Sequence, residues 1–169
     1  FPTRRSSDLE LGAELGRGGG GQIVVALDRK LGRRIAVKRP LAAAGAARLE
    51  REARVMARLE HPAIVPVHDA GRDADGAPFY TMKLLAGATL RDRIRAATTF
   101  ADRLTLLPVV IGVADAIAYA HGQRVIHRDL KPANVIVGDH GEVAVIDWGL
   151  AKVLDDADAD DGPAGAAIP

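Results

Sequence analysis

The sequence predicts an α+β fold: β-type runs with one helix come first, then a mostly helical stretch closed by a hairpin. Short apolar or alternating runs at 10–15, 22–27, 34–38, 64–71 and 78–85 are separated by Gly- and Asp-containing turns, as strands with tight connections are. Between them, 42–59 is rich in Ala, Leu, Arg and Glu and stops at His61-Pro62, which reads as a helix and its end. From residue 90 onward helical stretches at 90–97 and 100–121 take over, followed by a single hairpin with strands at 135–137 and 143–146.

A chain of 169 residues is one domain's worth of material, enough to bury a core. Its 23 basic and 22 acidic residues leave a net charge of +1, so no global field points to nucleic acid or a membrane surface. The absence of Cys excludes disulfides and thiolate metal sites and is compatible with a reducing cytosol. No uninterrupted apolar run reaches the roughly 18 residues of a membrane span. The longest candidate, 104–120, contains Gly112 and Asp115 and reads as a buried helix.

Taken in order, 1–9 (Phe-Pro-Thr-Arg-Arg-Ser-Ser-Asp-Leu) fits no element. It carries no apolar secretion core and resembles a translated sequencing-library adapter, so it is expected to be a non-native leader. The strands at 10–15 and 22–27 are joined by Gly16-Arg17-Gly18-Gly19-Gly20-Gly21. Without Cβ atoms such a loop can lay backbone N–H groups over an anion, although alone it would serve equally as a flexible linker. The strand at 34–38 ends in Lys38. On the helix at 42–59, Leu49, Glu52, Met56 and Leu59 share one face. A carboxylate within an apolar stripe needs a partner, and Lys38 is the available one; Glu50 and Glu60 lie off the stripe and read as solvated.

The strands at 64–71 and 78–85 flank a turn at 72–76. Thr89 is placed to cap the helix at 90–97, whose Arg91, Arg93 and Arg95 read as a solvated face, with a basic rim near a substrate groove as the second reading. The helix at 100–121 is apolar all round, with Pro108 marking a kink or a start and Gly122 its C-cap, and 124–126 is a brief strand. The hairpin turns at Gly138-Asp139-His140-Gly141 and brings Asp129, Lys131, Asn134 and Asp147 to one end of a small sheet. Two carboxylates, an amide oxygen and an ammonium suit Mg²⁺ and phosphate.

The stretch His127-Arg128-Asp129-Leu130-Lys131-Pro132-Ala133-Asn134, followed by Asp147-Trp148-Gly149, resembles the catalytic loop and metal-binding motif of protein kinases, with Trp148 in place of the usual Phe. Lys131, two places after Asp129, resembles the serine/threonine class, and Glu52 in its Arg-Glu-Ala context resembles bacterial members. The resemblance covers nearly all of 10–152 but only about the first half of a kinase domain. It implies a protein-kinase-like bilobal fold: a small lobe at 10–85, part of a large lobe at 86–154, and an acidic, disordered start of the activation segment at 155–169.

The same resemblance implies an ATP site formed by Leu15, Gly16, Gly18, Gly21, Ile23 and Ala36. Lys38 would bind the α- and β-phosphates and be held by Glu52. Met82 would be the gatekeeper, and Lys83 to Leu85 the adenine hinge. Asn134 and Asp147 would hold Mg²⁺, Asp129 would orient the acceptor hydroxyl and take its proton, and Lys131 would offset charge on the transferring group. Gly20 is unusual, since kinases commonly carry a larger residue at the loop tip. His127 is expected to pack beside Trp148, and Arg128 to suit an activation-loop phosphate, although 150–169 contains no Ser, Thr or Tyr.

The implied activity is ATP-dependent phosphorylation of a protein Ser or Thr, in the cytoplasm, by a parent that could be anchored elsewhere. A pseudokinase scaffold and a small-molecule phosphotransferase of the same fold are the alternatives. Retention of Lys38, Glu52, Asp129, Asn134 and Asp147 together argues against the first, and Arg128 with Lys131 against the second. The isolated chain is expected to be inactive, with apolar faces of 100–121 left uncovered.

Overall fold

The computed structural model of the chain describes residues 4–5, 8–18 and 20–154. Six strands form the first sheet: β1 (Arg4–Arg5), β2 (Leu9–Gly18), β3 (Gly21–Asp28), β4 (Arg33–Arg39), β5 (Val67–Arg72) and β6 (Pro78–Lys83), in the order β1-β5-β6-β4-β3-β2. Every pairing is antiparallel except that of β1 on β5. Described residues of the leader expected to fit no element therefore do contribute structure. Arg4 and Arg5 pair with Gly71 and Arg72, and Leu9 opens β2 and packs against a small cluster of Val24, Ala26, Ile35, Val37 and Phe79. The edge of the folded unit therefore lies before residue 10.

The expected helix at 42–59 is shorter. Ala43–Gly45 is a 3₁₀ turn, and α1 spans Ala46–Ala57, because no side chain caps its start and Arg58 already leaves the helix. Its inward face is the expected one, with Leu49, Glu52 and Met56 all buried and Leu59 buried just beyond its end. The strand expected from 64 begins at Val67. Ile64 instead forms an isolated parallel bridge with Val145, where the Val145 N–H donates to the Ala63 carbonyl at 2.8 Å.

Beyond β6 come β7 (Ala88–Thr89), α2 (Leu90–Ala96), α3 (Phe100–Leu104) and α4 (Leu107–Gly122). The Thr89 hydroxyl accepts from the Asp92 N–H as expected of an N-cap. The single helix expected at 100–121 is two. A capping box of Thr99 and Asp102 starts α3, and Pro108 occupies the first turn of α4, where its missing N–H costs nothing. Gly122 is not a cap: it is the last helical residue, and the reversal falls on Arg124, with φ of 62°.

Strands β8 (Val125–Ile126), β9 (Val135–Val137), β10 (Val143–Val145) and β11 (Lys152–Val153) complete the described chain in two small sheets, β10-β9-β7 and β11-β8. One core runs through both parts: Leu49, Met56, Ile64 and Tyr80 on the first side join Ala116, Val125, Val145 and Trp148 on the second. By length and composition Phe100–Gly122 could cross a membrane. It is broken before α4, however, and α4 buries Val109, Ala116 and Ala120 within the chain's own core. The disorder expected of 155–169 lies outside the described residues.

Candidate active site

Lys38 leaves the middle of the sheet on β4, and Glu52 faces it from α1. The ammonium Nζ lies 2.6 Å from Glu52 Oε1, with both residues buried, at 5% and 2% exposure. Removing two charges from water is costly unless each is well satisfied. A third group helps: the Tyr80 hydroxyl donates to the same Glu52 oxygen at 2.9 Å. Burial first, then the charge of Glu52, pushes the Tyr80 phenol well above its usual pKa, so it stays a donor. Lys38 Nζ is also 3.6 Å from Asp147 Oδ1.

Asp147 sits where the hairpin ends, at a φ of 62°, a left-handed conformation uncommon outside glycine. Its Oδ1 is buried without a hydrogen-bond partner. After it, the Gly149 carbonyl accepts from Arg48 Nε of α1 at 3.1 Å, tying the helix to the Asp-Trp-Gly turn. The motif's aromatic, Trp148, is 1% exposed, and its indole N–H reaches the Val145 carbonyl at 3.4 Å. The larger ring thus finds both a packing site and an acceptor, as a buried indole requires.

The loop at 127–134 is held by its own side chains. His127 packs on Trp148 with ring centroids 4.6 Å apart. Its Nε2 donates to the Ile146 carbonyl at 3.1 Å, and its Nδ1 accepts from the Asp129 N–H at 3.2 Å. Both nitrogens are used, and burial holds the imidazole below its ordinary pKa, so His127 is a neutral brace. Asp129 receives Lys131 Nζ at 2.7 and 3.0 Å and Asn134 Nδ2 at 3.1 Å, with a second Asn134 bond to the Asp129 carbonyl at 2.9 Å. The lysine hydrogen bond, opposed by desolvation, holds the Asp129 carboxyl below the usual carboxylate range. Arg128 turns through a φ of 65° and donates from Nε to the Leu150 carbonyl at 2.6 Å.

Lys38, Glu52, Asn134 and Asp147 border a cleft of ≈ 620 Å³ between the first sheet and the hairpin, within the size range of small-ligand sites. Leu15, Gly16, Gly18, Gly21, Ile23, Ala36, Lys38, Glu52, Met82, Lys83, Leu85, Asn134 and Asp147 all line it. Asp129 and Lys131 do not, but they adjoin it through Asn134. Gly20 lies over its floor: a Cβ there would come within 3.2 Å of Lys38 Nζ and 3.4 Å of Asp147 Oδ1. Sequence reasoning missed Tyr80, which also lines the cleft, as does Arg91. Tyr80 had a signal, since a hydroxyl in the middle of an apolar strand needs an acceptor. Arg91 fits the second reading of its helix, a basic rim beside a groove.

The donors fit a hard cation shared with a substrate. Asp147 Oδ1 is a buried carboxylate oxygen with no hydrogen-bond partner, and Asn134 spends its amide N–H on Asp129, leaving its carbonyl oxygen for a ligand. Among the described residues no group of three His, Cys, Asp or Glu could hold a metal ion unaided. Mg²⁺ that completes its shell with phosphate oxygens needs no such group.

A glycine-turned hairpin over a buried Lys–Glu pair, facing a braced His-Arg-Asp loop and an Asp-Trp-Gly turn, is the arrangement of one class of phosphotransferase. Residues 9–164 match the protein kinase domain family, and the chain belongs to it. Among curated relatives, a probable serine/threonine-protein kinase of Streptomyces coelicolor is 39% identical over 164 residues, covering 92% of this chain and 24% of that protein. Probable serine/threonine-protein kinase PknB of Bifidobacterium longum is 38% identical over 163 residues, 89% of this chain and 24% of the relative. Serine/threonine-protein kinase PknD of Protochlamydia amoebophila is 39% identical over 158 residues, 83% and 16% respectively. The chain thus spans no more than about a quarter of the length of these relatives.

Proposed function

We propose that this chain carries the nucleotide-binding and phosphoryl-transfer groups of a cytoplasmic serine/threonine protein kinase whose acceptor is a protein hydroxyl. The observation that carries the reading is the position of Lys38 Nζ, set between Glu52 and Asp147 on the floor of a cleft that Asn134 also lines. The names of the relatives point the same way. When bound, ATP and Mg²⁺ supply the transferable γ-phosphoryl group and the cation that neutralises it.

Each residue then has a defined task. Lys38, fixed by Glu52, binds the phosphates, and Asp147 with Asn134 holds the cation. The backbone of the loop at 16–21 covers the phosphates, while Leu15, Ile23, Ala36 and Met82 enclose the base and the backbone at 83–85 meets its edge. Asp129, kept ionised by Lys131, accepts a hydrogen bond from the acceptor hydroxyl and takes its proton as that oxygen bonds to phosphorus and the bond to the leaving diphosphate breaks. Lys131 offsets charge on the group in transit. Since phosphoryl transfer is largely positioning and electrostatics, these tasks suffice.

The test is transfer of radiolabelled phosphate from ATP to a generic acceptor protein by the full-length protein. Asp129→Asn is expected to lower the rate by roughly 10²–10⁴-fold, the usual range for a lost general base. Lys38→Met and Asp147→Asn are expected to abolish it. A wild-type rate in Asp129→Asn would overturn the assignment.

A further inference from the structure

Tyr80 does not belong to the motifs that carry the proposed reaction, yet its hydroxyl reaches the centre of the site. Lys38 and Tyr80 are cross-strand partners in the register of β4 and β6, so their side chains leave the sheet side by side. Both donate to the same atom, Glu52 Oε1, at 2.6 Å and 2.9 Å. The other carboxylate oxygen, Oε2, is buried without a hydrogen-bond partner, so the grip of the sheet on this side chain passes through Oε1 alone.

The remaining contact of the Tyr80 hydroxyl is Met56 Sδ, at 3.7 Å, a weak acceptor that also belongs to α1. Moving α1 outward would therefore remove both acceptors at once and leave a buried hydroxyl with none, in a residue 1% exposed. A phenylalanine would fill the same space without that penalty.

We infer that Tyr80 is a positioning residue for phosphoryl transfer: with Lys38 it forms a two-donor platform on the sheet that holds the Glu52 carboxylate, keeping α1 inward and Lys38 aimed into the cleft. The inference rests on the proposed kinase reading. It makes Tyr80 the sheet's sensor of where α1 stands. The inward state satisfies two donors through one oxygen, and the outward state strands a hydroxyl.

The experiment compares wild type, Tyr80→Phe, Glu52→Gln and the double variant in the full-length protein, measuring kcat and KM for both substrates together with amide hydrogen exchange along α1. Tyr80→Phe is expected to lower kcat about tenfold, with the KM for the acceptor protein unchanged and faster exchange in α1. In the Glu52→Gln background the same change is expected to have little further effect, because the charged acceptor is gone. An unchanged kcat would overturn the inference while leaving the kinase reading intact. So would an equal effect in both backgrounds, or a Tyr80→Phe protein that has lost its fold, since the hydroxyl would then act on stability alone. A wild-type protein that binds no nucleotide would remove both.

Discussion

The imidazole of His127 illustrates how a titratable group can be consumed by architecture. It is 2% exposed, stacks on Trp148, and spends one nitrogen on the Ile146 carbonyl and the other on the Asp129 N–H. A second proton would have to displace that last bond inside the core. Above the ordinary histidine value of 6.5 the ring is neutral in both folded and unfolded chains, so it contributes no pH dependence. Below it the unfolded chain takes up a proton that the folded one resists, and stability falls until the depressed folded value is passed. Urea midpoints are therefore expected to drop as the pH falls below about 6.5, and His127→Gln, which cannot titrate there, is expected to flatten that slope. Equal slopes in the two proteins would contradict this. The motif made this packing legible in the sequence. The Tyr80 bond was not legible, because strand register, which set it beside Lys38, is a tertiary fact.

At the level of elements, the glycine pattern at 16–21 names three equivalent positions, and geometry separates them. A Cβ at Gly16 or Gly18 would meet nothing within 4 Å, whereas at Gly21, with φ of 122°, it would lie 2.5 Å from the Arg39 carbonyl. Close approach of β3 to the end of β4 is what demands the third glycine. Gly87, between the two parts, is more constrained still: φ is 119° and a Cβ would fall 2.2 Å from the Val137 carbonyl. Gly87→Ala is expected to destabilise by at least about 3 kcal/mol through backbone strain and overpacking, against less than about 1 kcal/mol for Gly16→Ala, read by urea denaturation. Similar values for both would show that the chain relaxes at residue 87. Element boundaries were legible where a cap or breaker chemistry was strong, as at Thr89. They failed where two signals competed, as at 100–122, where Thr99 with Asp102 and then Pro108 each start a helix.

For the molecule as a whole, α3 and α4 present an apolar surface: Phe100 is 77% exposed, Leu107 53%, Val110 53% and Ile111 62%. Such a patch marks a surface that buries itself against something. Produced alone, the chain is expected to self-associate and bind ANS, and Leu107→Lys with Ile111→Lys to shift it toward monomer in light scattering. A monodisperse wild-type monomer would refute this. The composition of 100–121 announced an apolar helix, but which side stays open depended on where β8 and β10 pack, and no local pattern encodes that. The bridge joining Ile64 to Val145, with its bond from Val145 to Ala63, has a mechanical corollary. It rivets the turn behind α1 to the hairpin that carries Asp147. Whatever carries α1 and its turn outward must therefore break this rivet or draw the acidic side chain at the hairpin's end along with it.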